Sequence, residues 1–266
     1  MKHQKALDLL IHHLKKKGET TQVQAIQLAA KSNKKKLSLE VMSCLENKNQ
    51  HVRAAAAECL GALGQKNAVQ PLCKKLADYF WDVRLAAVES LGLLLAQKKQ
   101  APLALIRKFE DPNELVRIQA VESMVAIGDK KTLPKLWKAI HDPSPLVRSY
   151  AGGAIGNLGR KADIKQLEIT LKKERSATAK IGILQALFEL GETSVLPSIF
   201  ELLKSKDYRV RCAVTNTLCN VIVNSTNFEM VLATLSKALI DESTVAARST
   251  LDTSIRTIKK RFKQKK

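Results

Sequence analysis

Aromatic residues make up only 4% of this 266-residue chain, and tryptophan occurs twice, at 81 and 137. A core of that kind rests on Ala, Leu, Ile and Val, which suits closely approaching helices better than a sheet sandwich. No apolar run approaches the ~18 residues that a membrane-spanning helix needs. The opening apolar stretch, Leu7 to Ile11, is too short for a secretory leader, and Lys15, Lys16 and Lys17 follow it rather than precede it. A soluble, cytoplasmic protein is the expectation. The five cysteines (Cys44, Cys59, Cys73, Cys212, Cys219) form no Cys-x-x-Cys pair, and the five histidines are scattered. Neither pattern has metal-ligand spacing, so no metal, cofactor or redox role is expected.

The chain has plenty of one phrase. His51-Val52-Arg53-Ala54-Ala55-Ala56-Ala57-Glu58-Cys59-Leu60-Gly61 returns as Asp82-Val83-Arg84-Leu85-Ala86-Ala87-Val88-Glu89-Ser90-Leu91-Gly92. Val-Arg recurs at 116–117, 147–148 and 210–211, with weaker echoes at Lys180 and Arg248. The steps between these basic residues are 31, 33, 31, 32, 31 and 37. A period of that size means stacked helical units, each burying its apolar face against its neighbours.

One unit shows the construction. A helix is expected from about Lys98 to Phe109, a break at Glu110-Asp111-Pro112-Asn113, and a second helix from Glu114 to Ile127. Pro112 starts a helix well but cannot sit inside one. Gly128 suits a left-handed cap. Val116, Ala120, Met124 and Ile127 share one helix face. The same punctuation recurs as Asp142-Pro143 with Gly159, and at Gly64 and Gly191.

The recurring Asp-Pro-x-x-x-Val-Arg-x-x-Ala-x-x-x-Leu-Gly-x-Leu-Gly pattern resembles the HEAT-like repeats, specifically the short bacterial type named from phycobilin lyases. The resemblance covers about residues 20–255. It implies an all-α superhelix (solenoid) of about eight helical hairpins. Residues 1–255 are expected to form a single solenoid with an atypical N-terminal cap, and 256–266 the basic end of a capping helix or a tail. The resemblance also implies an internal aspartate–arginine ladder, with Asp111, Asp142, Arg117 and Arg148 as members.

The formal net charge is +20. Residues 1–36 and 256–266 each carry +7, so the body is nearly balanced. Within it, Lys34, Lys35, Lys36, Lys66, Lys98, Lys99, Lys130, Lys131, Arg160 and Lys161 occupy equivalent turns after the second helices. Equivalent turns of a solenoid line one edge, so these residues are a candidate basic binding ridge. Lysines near a helix C-terminus also complement its dipole, which is the structural alternative. The C-terminal Lys259, Lys260, Arg261, Lys263, Lys265 and Lys266 form a second candidate. Leu251, Ile255, Ile258 and Phe262 make an apolar stripe that fits either a cap or a basic amphipathic surface element. Glu58, Glu89 and Glu122 form an acidic column on the second helices. Tyr79, Phe80 and Trp81 are either a turn staple or a contact hot spot.

Catalytic signatures are missing. Gly153-Ala154-Ile155-Gly156-Asn157-Leu158-Gly159 imitates a dinucleotide fingerprint, but these are the repeat's ordinary glycines and no strand is expected before them. There is no nucleophile elbow, phosphate-loop lysine or zinc helix, and no paired His-Glu dipeptides of the kind HEAT-repeat hydroxylases use. The expected function is a non-catalytic scaffold for a protein partner with an acidic surface. Nucleic-acid binding through the ridge and tail is the alternative. A lyase-like or DNA-glycosylase-like enzyme ranks below both, because fold alone does not give function.

Overall fold

A computed structural model describes the chain except residues 1, 16–17, 33–34, 222–226 and 264–266. The side chains at 2–7, 35, 221 and 263 also lie outside the described part. Among the described residues there are sixteen α-helices and no strand. They are α1 (Lys2–Lys15), α2 (Glu19–Ser32), α3 (Ser38–Ser43), α4 (Gln50–Ala62), α5 (Val69–Lys75), α6 (Trp81–Leu94), α7 (Leu103–Ile106) and α8 (Glu114–Ile127). Then follow α9 (Leu133–Ala139), α10 (Pro145–Leu158), α11 (Ile164–Lys173), α12 (Ala177–Glu189), α13 (Leu196–Leu202), α14 (Tyr208–Val221), α15 (Phe228–Asp241) and α16 (Val245–Lys263). Paired in order they make eight hairpins, as the repeat count implied. The chain divides into two compact units, Met1–Lys135 and Leu136–Lys266.

In the first unit the second helices α2, α4, α6 and α8 pack side by side in sequence order. Val52, Ala56 and Leu60 are fully buried, as are Val83, Ala87 and Leu91, so the i, i+4, i+8 stripe read from sequence is the core. Full burial of a Val or Leu side chain stabilises by about 1.5–3 kcal/mol. Serine sits where adjacent helices come closest. Ser90 faces Gly61 and donates from Oγ to the Ala57 carbonyl (2.8 Å). Ser123 repeats this against Gly92, donating to Val88 (3.2 Å).

The second unit stacks α10, α12, α14 and α16 in the same way. Here Ala186 stands where serine stood, facing Gly156, and a second pair of glycines adds to the close approach of α10 and α12. A Cβ on Gly152 would come within 2.7 Å of the Gly182 carbonyl carbon, and one on Gly182 would collide with the Ser149 carbonyl. Of the false dinucleotide fingerprint, Gly156 lies at this helix crossing, where a Cβ would come within 2.7 Å of Ala186 Cα, Gly153 lies on α10 beside Gln185, and Gly159 caps the helix. The core of this unit runs from Ile181 to Ile258. Leu251, Ile255 and Ile258 are buried, and Phe262 stacks on Phe228 with ring centroids 3.8 Å apart. The C-terminal apolar stripe therefore packs into the core of this unit.

Two boundaries differ from expectation. α7 begins at Leu103 rather than Lys98, because residues 95–102 form a long turn in which Gln97 (φ 62°) and Lys99 (φ 59°) are left-handed. Their amides donate to Ala126 and Ile127 (2.9 and 2.8 Å), so the turn satisfies carbonyls at the end of α8. Gly128 and Gly191 take the left-handed cap (φ 75° and 108°), whereas Gly159 ends α10 in extended conformation (φ −77°, ψ −167°).

Candidate functional site

The most repetitive residues form an internal ladder. Arg53 donates from Nε and Nη2 to Asp78 of the following turn (2.8 Å each), and from Nη1 to the Asn47 and Lys48 carbonyls of its own turn. Arg84 repeats this toward Asp111 (2.8 and 2.7 Å) and toward the Asp78 and Tyr79 carbonyls. In the second unit Arg148 grips Glu174 (2.8 and 3.0 Å) and Arg211 grips Glu242 (2.6 and 2.7 Å). Arg117 makes the own-turn bonds, to the Asp111 and Pro112 carbonyls. Asp142 accepts from the Ser144 amide (2.9 Å). Sequence pointed to Asp111, Asp142, Arg117 and Arg148 but missed Asp78, Glu174 and Glu242. The two glutamates were hidden because they are one methylene longer and lack the Asp-Pro signature. Lys180, at the ladder position of α12, makes no ion pair among the described residues.

The ladder spends these charges within the fold. Burial works against ionisation of Asp78 and Asp111, but bonds from Arg53 or Arg84 and from turn amides outweigh it and hold both carboxyls below the usual range. For Glu242 the Arg211 bonds dominate over burial and, with the Thr244 amide, hold it at about 2.

The turn cations are different. Lys36, Lys66, Lys98, Lys99, Lys130 and Lys131 in the first unit, and Arg160 and Lys161 in the second, are all exposed. None makes an ion pair among the described residues. Lys34 and the Lys35 side chain lie outside those residues. The helix-dipole explanation is weaker than sequence implied. Lys36, Lys66, Lys130, Lys131 and Lys161 lie in 3-10 turns (Lys35–Leu37, Lys66–Ala68, Lys130–Thr132, Lys161–Asp163) that open the next first helix. A cation there faces the positive end of a helix dipole. Some stems are nevertheless positioned: Lys99 Cγ lies over Gly128 and Lys161 Cε over Gly191, each 4.0 Å from where a Cβ would stand.

The aromatic turn is exposed rather than packed as a staple: Tyr79 is 88% accessible and Trp81 43%. Phe80 lies edge-on to Tyr79 (5.0 Å) and under the Arg53 guanidinium (5.7 Å). Phe80 also occupies the N-cap of α6 without a side-chain bond. In α4, α8, α10 and α12 that position holds Asn49, Asn113, Ser144 and Ser176, each accepting from helix amides. A missing cap costs about 1 kcal/mol. This unit gives up that stabilisation and presents an aromatic instead.

At the C-terminal end, Lys259 and Lys260 are exposed. Arg256 pairs with Asp252 (2.8 Å), and Arg261 donates to the Cys219 carbonyl (3.2 Å), so Arg261 is tied into the fold. Lys265, Lys266 and the Lys263 side chain lie outside the described residues. Among the described residues there is no cluster of three metal-ligating side chains, and no helix is long and apolar enough to cross a membrane. The second unit has an open cleft of about 550 Å³ between α13 and α15, floored by Phe200, Leu203 and Leu251. The ladder pair Arg211–Glu242 lies in its wall.

Stacked helical hairpins laced by an arginine–carboxylate ladder define an α-solenoid repeat protein. Family models described as HEAT repeats match residues 7–92, 69–156, 100–187 and 195–224. The chain belongs to the HEAT-repeat family. Solved structures share the fold. One is the complex of CpcE and CpcF of phycocyanin lyase from Nostoc sp. PCC7120 (TM-score 0.54, 18% identity, 94% of each chain covered). Another is YibA of Escherichia coli (TM-score 0.56, 18% identity, 95% of this chain and 92% of that one). Among curated proteins, epoxyqueuosine reductase of Bacillus subtilis (strain 168) is 35% identical over 69 residues. That match covers 26% of this chain and only 18% of the reductase.

Proposed function

We propose that this protein is a non-catalytic scaffold whose turn cations engage an acidic surface on a partner protein. The observation that carries this reading is the row of exposed turn lysines that no acid among the described residues pairs with, beside ladder arginines Arg53, Arg84, Arg148 and Arg211 that each grip a carboxylate. Like charges placed side by side repel, and a column of them is stabilised when a partner supplies counter-charge. The aromatic turn of Tyr79, Phe80 and Trp81 adds a second contact, since exposed aromatics dominate binding energy at interfaces. The free cysteines fit a cytoplasmic setting, where thiols stay reduced.

The test is in-cell photocrosslinking from a benzophenone side chain at position 98. A crosslinked protein that disappears when Lys99, Lys130 and Lys131 are changed to glutamine supports the scaffold. Recovery of nucleic acid alone overturns it in favour of the second reading, phosphate-backbone binding by the same lysines with Lys259 and Lys260. That reading carries a distinct signature, binding that falls steeply with salt. Its weak point is the acidic column on the neighbouring helices, which repels phosphate.

A further inference from the structure

The exposed face of the second helices in the first unit is ordered into rows. On α4, α6 and α8 the exposed positions recur at a spacing of four. Glu58, Glu89 and Glu122 form an acidic row, with Leu28 of α2 at its head, 54% accessible. Four residues further along each helix lie Ala62, Leu93 and Ala126, all exposed, Leu93 at 59%. Four or five residues beyond these come Lys66, Lys98 and Lys130. The glutamates share a helix face with Ala62, Leu93 and Ala126, four residues on, and the lysines follow in the turns past the helix ends, so each row lines up from one repeat to the next. They read acidic, apolar, basic.

No cation among the described residues pairs with Glu58, Glu89 or Glu122. Burial raises the Glu58 and Glu122 carboxyls, and the charge of Glu89 between them raises them further. The fold thus holds a row of unanswered carboxylates parallel to a row of unanswered ammonium groups, with an uncovered leucine between.

We infer that this banded face seats an amphipathic α-helix of the partner protein, with a basic flank against the glutamates, an acidic flank against the lysines and an apolar stripe on Leu93. This rests on the scaffold reading above and specifies its partner. Glu58 and Ala62 lie four residues, about 6 Å, apart along α4, and Lys66 follows in the turn past its end. Spacing along the stack agrees. Packed helices lie ~8–10 Å apart, close to the ~10.5 Å rise of seven residues. A partner helix lying along the rows therefore meets successive repeat helices about once per heptad. Chemistry agrees as well: a nucleic acid has no positive groups for the acidic row, and a uniformly acidic segment is repelled by it.

The experiment uses the full chain and two synthetic helical peptides of three heptads and identical composition. The first carries lysine along one flank, glutamate along the other and leucine between. The second mixes both signs on each flank. Fluorescence anisotropy at low ionic strength is expected to show at least tenfold tighter binding of the first. Glu89→Lys and Leu93→Asp should each weaken it tenfold or more, with helical circular dichroism and melting unchanged in form to show that the variants fold. Equal binding of the two peptides, or binding of neither, overturns the inference. So does indifference to Glu89→Lys. Tighter binding of an all-acidic peptide, strengthened by Glu89→Lys and lost when Lys98 and Lys130 become glutamine, also overturns the seat, yet leaves the acidic-partner scaffold standing.

Discussion

Arg84 grips Asp111 through two bonds, Nε to Oδ2 at 2.8 Å and Nη2 to Oδ1 at 2.7 Å, and both residues are buried. The same guanidinium donates to the Asp78 and Tyr79 carbonyls, so one side chain ties its own turn to the next. Removing one partner of a buried pair leaves the other charge uncompensated. Asp111→Ala is expected to lower stability by about 3–5 kcal/mol. Lys204→Ala, which breaks the exposed Lys204–Glu201 pair, should change it by less than about 1 kcal/mol. Urea denaturation of the two variants checks the contrast.

The ladder predicts acid sensitivity. Asp78, Asp111, Glu174 and Glu242 all have folded-state carboxyls below their ordinary range. A depressed carboxyl contributes stability that is fully present above its unfolded pKa and lost as pH falls through the folded one. For Glu242 that window runs from the ordinary 4.5 down to about 2. Glu242→Gln should be less stable at neutral pH and should lose less stability than the natural protein across that window. Thermal melts from pH 6 to pH 2, as an order-of-magnitude range set by this linkage, check the sign.

The acidic row predicts the opposite sign. A carboxyl raised by burial and a like-charged neighbour costs stability when ionised, and the penalty is relieved as pH falls below its folded pKa. Glu89→Gln is expected to raise stability near neutrality by about 0.5 kcal/mol, the scale of an exposed charge interaction. It should also lower the Glu58 and Glu122 pKa values in a carboxyl NMR titration, because after burial the negative charge of Glu89 is what raises them.

The crossing glycines differ in tolerance. Gly182→Ala forces a methyl into the Ser149 carbonyl and should unfold or severely destabilise the second unit. Gly153→Ala meets only Gln185 side-chain atoms at 3.6–3.7 Å, and should stabilise α10 by about 0.5–1 kcal/mol. Differential scanning calorimetry separates the two.

The aromatic cap predicts a trade between stability and binding. Phe80→Asn restores the side-chain cap that Asn49 and Asn113 supply elsewhere. It should raise stability by about 0.5–1 kcal/mol while weakening partner capture. A variant that gains stability and keeps full capture removes Phe80 from the interface.

The sequence by itself determined the repeat, the eight hairpins, the buried Val–Ala–Leu stripes and the glycine caps at 64, 128 and 191. Each is a local or periodic property: helix period, left-handed backbone at glycine, and apolar spacing are all written within about thirty residues. Tertiary structure decided which charges are spent and which are free. Arg53 and Lys66 look alike in a composition, but stacking brings Asp78 to the arginine and, among the described residues, no acid to the lysine. It also decided that Glu174 and Glu242 do the work of aspartate, since a longer side chain reaches the same guanidinium only once neighbouring turns are set. The turn at 95–102 shows the limit most clearly. Its left-handed Gln97 and Lys99 have no glycine to announce them, and they hold because the end of α8, nearly thirty residues later, offers the carbonyls that their amides bind.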